Sequence, residues 1–248
     1  MAALVATGCG GDGTSRDPAD SSTGGLDGGA TTATVASASN ATPRSDAGAP
    51  GGAERPDRRR RIVFLGTSLT AGLGVEPEEA FPARIQEKID SAGLPFEVSN
   101  AGVSGETSAG ALRRISWLLR EPFDVLVIET GANDGLRALN IDSAKANIRS
   151  IITQVRAAQP DARILLVPME APPNLGTRYT SEFRGMFPQL ARENDVVLLP
   201  FLLEGVAGNA ALNQGDGIHP SPEGARRAAA NLWPVIEREL RSVLLAKP

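Results

Sequence analysis

From Arg61 onward, short and mostly apolar runs alternate with longer stretches whose apolar residues recur every three or four positions. This alternation constrains the fold more than any other feature of the chain. A strand apolar on both faces must be covered on both faces, and a parallel sheet between two layers of helices does that. Residues 61–65 form the first such run and end at Gly66, and residues 124–129 set four aliphatics between two acids. Runs at 96–99, 163–167 and 196–199 bring the expected sheet to about five parallel strands. Residues 81–91 place Phe81, Ile85 and Ile89 on one helical face, and Gly93 follows as a stop. Helical periodicity also covers 107–120 (Leu112, Ile115 and Leu119 inward), 142–158 and 180–193. A last helix opens at Ser221-Pro222, a cap followed by proline at the first helical position, and runs to about 245. Trp117 and Trp233 fall on helices and are expected in the core. The pattern predicts an α/β fold, a three-layer α/β/α sandwich around a central parallel sheet.

The first 57 residues break the pattern. Forty of them are Gly, Ala, Ser, Thr or Pro and none is aromatic, whereas all ten aromatic residues lie at Phe64 or beyond. Such a segment buries too little apolar surface to offset its ordering entropy. A disordered linker is therefore expected over residues 1–57, and one folded domain over 58–248. A short apolar stretch ending in small residues leads into Cys9. It resembles the lipobox of bacterial lipoproteins, which predicts a lipid on Cys9 and a place in the cell envelope, periplasmic or at the surface. No basic segment precedes it and it is short for a signal peptide, so that reading includes a start upstream of Met1. The alternative is an incidental cysteine in a tail, and a cytoplasmic protein.

Several function classes drop out on composition. A net charge of -4 gives no electrostatic footprint for nucleic acid. No apolar run is long enough to span a bilayer as a helix, so membrane contact is expected only through Cys9. One cysteine with one histidine argues against a zinc site, and no metal is expected.

Ligands of parallel α/β sheets bind beyond the carboxyl ends of the strands, so the segments that follow the strands carry the chemistry. They are the segment from Gly66 through Ser68 to Val75, Asn100 through Gly102 to Ser108, Thr130 through Asn133 to Gly135, and Asp216-Gly-Ile-His219-Pro220 before the last helix. His219, the only histidine, is the natural general base near neutrality. Asp216, three residues earlier across Gly217, can hold its Nδ1 proton and leave Nε2 free to accept one from Ser68. The backbone amides of Ser68 and Gly102 and the side-chain amide of Asn133 can serve an oxyanion. Each element has a plainer reading when taken singly: a surface histidine before proline, an ordinary Asp-Gly turn, an Asx turn at Asn133. The first loop has no Gly-Lys-Ser/Thr ending, no dinucleotide fingerprint follows a strand, and Thr70 breaks the Gly-x-Ser-x-Gly elbow.

These four blocks, in this order, resemble the SGNH (GDSL-type) hydrolase family over most of residues 62–240. The resemblance implies a flavodoxin-like sandwich with Ser68, Asp216 and His219 as triad and Ser68, Gly102 and Asn133 as oxyanion hole. The chain departs from the family pattern at Thr67, where an aspartate is usual. Gly131 to Arg137, Pro172 to Tyr179 and the Asp-Gly-Ile-His spacing are most similar to the bacterial arylesterase, thioesterase I and lysophospholipase group. That likeness implies a serine esterase acting through an acyl-enzyme, without cofactor, on small esters or thioesters of short to medium acyl chains, and it allows a monomer. It also makes Leu136, Leu139, Pro172, Asn174, Tyr179 and Ile218 candidates for substrate binding. Two other functions fit the same sequence: a carbohydrate O-acetylesterase acting on polysaccharide or cell-wall glycan, and a non-catalytic envelope lipoprotein that binds an acylated ligand.

Overall fold

The structure is a computed structural model and describes residues 59–246. The candidate linker and Cys9 lie outside the described residues. Five strands, β1 (Arg60–Gly66), β2 (Phe96–Gly102), β3 (Val125–Ile128), β4 (Arg163–Leu166) and β5 (Val197–Leu198), pair in parallel in the order β2-β1-β3-β4-β5. This is the flavodoxin-like order, and it reverses direction beside β1. The apolar run of β1 is buried from Ile62 on, and all four residues of β3 are buried, as a sheet covered on both faces demands.

The helices are α1 (Ser68–Ala71), α2 (Phe81–Ser91), α3 (Ser108–Leu118), α4 (Ala132–Leu136), α5 (Ile141–Ala158), α6 (Thr177–Glu193) and α7 (Pro222–Ala246). Right-handed crossovers send the chain outward from β1 to β2 across one face, then back past β1 across the other. Accordingly α2 packs on α7, while α3, α5 and α6 pack in succession. Phe81, Ile85 and Ile89 of α2 are buried, as are Ile148, Ile151, Ile152 and Val155 of α5.

Four details differ from the sequence expectation. First, β2 runs three residues further, through Gly102, which pairs with Gly66. Second, α1 and α4 occupy segments expected to be loops; each is about one turn long, too short to show a period. Third, α6 begins at Thr177 rather than at 180, directly after Gly176, whose φ of 85° is open to glycine and few other residues. Fourth, Trp117 is 62% exposed. It stands two residues from the buried Ile115, about 200° round the helix, so it faces solvent. Trp233 is half-buried against the core.

Candidate active site

Ser68 opens α1 immediately beyond the end of β1, and its backbone N–H is one of the donors that a helix N-terminus leaves without an internal partner. Its Oγ lies 2.9 Å from His219 Nε2. His219 Nδ1 lies 2.6 Å from Asp216 Oδ2. The other Asp216 oxygen accepts the backbone N–H groups of Ile218 and His219, at 2.9 and 3.0 Å. The hydrogen bond from the His219 ring, then those two amides, hold the Asp216 carboxyl well below the usual carboxylate range. A carboxylate can only accept, so the imidazole proton sits on Nδ1 and Nε2 faces Ser68 as an acceptor. Gly217 turns the chain at a φ of 69°, and a bridge between Asn213 and Pro220 closes the loop behind it.

The second and third blocks meet beside Ser68. Asn133 Nδ2 donates to the Glu106 carbonyl at 3.0 Å, which leaves its second amide proton for the cavity. Arg114 grips the Glu106 carboxylate with Nε and one terminal nitrogen and also donates to the Ala101 carbonyl, at 2.8 Å. Asp134, buried next to Asn133, accepts the N–H and hydroxyl of Ser108 at 2.8 and 2.6 Å and so caps α3. The end of the connection, Glu106 to Ser108, is thereby fastened to α4.

Gly102 takes no part in this meeting. It is the last residue of β2, and its N–H already donates to Asn100 Oδ1 at 2.9 Å. A Cβ there would lie 2.2 Å from the Ala71 nitrogen, so Gly102 is needed for the close passage of α1. The glycine on the cavity wall with Ser68, Asn133 and His219 is Gly105, at a φ of 75°. Its N–H donates to no protein group among the described residues. The expected strand stopped at 99, which left Gly102 in a loop; Gly105 stands three residues later in the same segment.

The sequence model of the GDSL-like Lipase/Acylhydrolase family matches residues 64–227, more than half of the chain. The chain belongs to this acylhydrolase family. It is 37% identical over 177 residues to Esterase TesA of Pseudomonas aeruginosa, covering 71% of this chain and 87% of that one. It is 40% identical over 162 residues to Thioesterase 1/protease 1/lysophospholipase L1 of Escherichia coli K12, covering 64% and 75%. The crystal structure of TesA superposes with a TM-score of 0.69 at 36% identity, over 72% of this chain and 99% of that one. Psychrotrophic esterase EstA from a Pseudoalteromonas species gives 0.69 at 32%, over 73% and 99%.

In this acylhydrolase a cavity of about 280 Å³ opens beside Ser68 and His219. Leu73, Leu136, Met169, Phe201, Leu203 and Ile218 give it an apolar wall. Leu136 and Ile218 were expected there; Leu73, Met169, Phe201 and Leu203 carried no local signal, because the tertiary fold gathers them from separate connections. Leu139 and Tyr179 line a different hollow, where the Tyr179 hydroxyl donates to the Leu139 carbonyl at 2.8 Å. The Tyr179 ring stacks on Phe183 with centroids 6.1 Å apart. Burial and the charge of Asp134 push the Tyr179 hydroxyl pKa upward. Pro172 and Asn174, at the short 3-10 turn Pro173–Leu175, lie on neither wall. The likeness to the arylesterase and thioesterase group suggested these four, but they lie off the wall of the cavity beside Ser68.

Proposed function

We propose that the chain is a serine hydrolase that cleaves carboxylic esters and thioesters of short to medium acyl chains through an acyl-enzyme. The observation that carries this reading is the relay Ser68 Oγ, His219 Nε2, His219 Nδ1, Asp216 Oδ2, with links of 2.9 and 2.6 Å. His219 takes the Ser68 proton as Oγ attacks the acyl carbon, and Asp216 stabilises the imidazolium that results. The tetrahedral oxyanion faces the N–H groups of Ser68 and Gly105 and the Asn133 amide, with Gly105 in the role first given to Gly102. His219 then returns the proton to the leaving alcohol or thiol. Water repeats the sequence on the acyl-enzyme and releases the acid. The apolar wall around Leu136 and Ile218 takes the acyl chain. The names of the relatives, an esterase and a thioesterase/lysophospholipase, support the same substrate class.

Hydrolysis of p-nitrophenyl esters from acetate to laurate, with Ser68→Ala alongside, tests it. Activity that depends on Ser68 and peaks at intermediate chain length is expected. Activity on acetate alone points instead to a deacetylase, and no Ser68-dependent turnover of any ester by the folded protein points to a binding protein.

A further inference from the structure

The turn that carries Ser68 is fastened from beneath by a carboxylate for which the triad has no use. Glu129 follows the last residue of β3 and is 0% exposed. Its Oε2 accepts the Thr67 N–H at 2.9 Å and the Thr70 hydroxyl at 2.8 Å. The Thr67 hydroxyl lies 2.9 and 3.0 Å from the two oxygens. Both threonines are buried, so no solvent competes for these donors. They bracket Ser68 and Leu69, and every donor on Glu129 comes from that one turn. Gly66 leaves room for the arrangement: a Cβ at that position would lie 1.9 Å from Thr70 Oγ1 and 2.7 Å from Glu129 Oε2.

We infer that Glu129 is a positioning residue, whose ionised carboxylate holds Thr67 and Thr70 so that the Ser68 hydroxyl meets His219 and the Ser68 N–H faces the cavity. The inference rests on the serine-hydrolase reading above. It also bears on position 67, where this chain departs from the family pattern: besides the backbone N–H, Thr67 supplies a hydroxyl donor to Glu129 where an aspartate would bring a second negative charge.

The hydrogen-bond donors around the carboxyl group suit its charged form. An ionised carboxylate accepts all three donors at once, whereas a protonated one can donate only by turning a threonine hydroxyl from donor to acceptor. Burial pushes the Glu129 carboxyl up to about 7 against the opposing hydrogen bonds, and no charged side chain among those shifting it offsets the burial. The groups that face it are Gly66 at the end of β1, Thr67 in the connection and Thr70 in α1, none of them titratable at this range. The turn is therefore held most firmly above the pH at which Glu129 ionises.

The test is steady-state kinetics against pH on a short p-nitrophenyl ester, for the wild type, Glu129→Gln, Thr70→Val and Ser68→Ala. Glu129→Gln keeps the shape and removes the charge. It is expected to lower kcat by about ten- to a hundredfold, the scale of a misplaced nucleophile, with KM little changed. Its pH profile should also lose one ionisation relative to the wild type. Thr70→Val removes one donor that favours the charged form, so the acid limb of kcat should move to higher pH. A Glu129→Gln enzyme that matches the wild type in kcat and in the shape of its profile overturns the inference. So does a Thr70→Val profile that stays in place. If Ser68→Ala retains turnover, the serine-hydrolase reading itself fails; if only Ser68→Ala is inactive, the loss is confined to the role given to Glu129.

Discussion

Asn133 and Glu129 show how single side chains at this site divide the work of placing charge. Asn133 spends one amide proton on the Glu106 carbonyl and keeps the other for the cavity. Asn133→Ala should therefore lower kcat by about 10²- to 10³-fold with KM nearly constant, as loss of one oxyanion donor does. Equal kcat in the two proteins would remove Asn133 from the proposed oxyanion hole. Glu129 works through its cost. Its carboxyl is raised from an ordinary 4.5 to about 7, so between those values the folded chain holds a proton that the unfolded chain has lost. Stability must then fall as pH rises through that window, by about 3 kcal/mol in all. Glu129→Gln, which has nothing to ionise, should lack this fall, and denaturant unfolding on either side of the window measures the difference. A slope shared by the two proteins would mean that Glu129 does not titrate there. Expected together, a variant steadier than the wild type at alkaline pH and slower in turnover would mark a residue kept for function at the expense of stability. Ser68, Asp216 and His219 were legible because proton relay permits few residue types in few spacings. Glu129 was not, since at the end of an apolar run an acid reads as a solvated strand flank, and only the tertiary fold reveals the two buried threonines beneath Ser68.

Among the elements, the ends of β1 and β2 decide where the site can be. The two strands pair through Gly66 and Gly102, and α1 passes so close over that pair that neither position has room for a side chain. Gly102→Ala would press a methyl group on the Ala71 backbone, and overpacking of this kind costs about 1–3 kcal/mol. The predicted result is a lower denaturation midpoint, together with reduced activity because α1 carries Ser68. A variant of unaltered stability that loses only kcat would return Gly102 to the oxyanion role and displace Gly105. Long periodic elements were readable from sequence: α2 has the expected bounds, and the five strands stand where the apolar runs predicted. The end of β2 was not, because Asn100, Ala101 and Gly102 carry no apolar pattern and join the sheet only through backbone pairing with β1. One-turn helices such as α1 and α4 escape for a related reason. Four or five residues cannot display a helical period, and these depend on the strand ends and buried carboxylates around them.

For the whole molecule, the direction of β1 separates anchoring from catalysis. The chain enters the sheet at Arg60, whereas Ser68, Asn133 and His219 gather beyond the opposite end of the strands. Seven residues of extended chain separate those ends, roughly 20 Å. A tether attached before Arg60 would join the end of β1 remote from the cavity, and the proposed lipid on Cys9 should act on location alone. Cys9→Ser, expressed in the native host, should move the protein from the membrane fraction to the soluble fraction. Its kcat/KM on a water-soluble ester should stay within error of the wild type, because every residue of the proposed mechanism lies between Gly66 and His219. A membrane-embedded or aggregated substrate should behave differently: the untethered enzyme reaches it only by diffusion, so its hydrolysis in intact cells should fall while the purified enzymes remain equal. If wild type and Cys9→Ser fractionate alike, or if the intact mass shows an unmodified cysteine, the envelope-lipoprotein proposal is lost. The ester-hydrolase reading would survive that result, since nothing in the relay from Ser68 to Asp216 depends on where the chain is held.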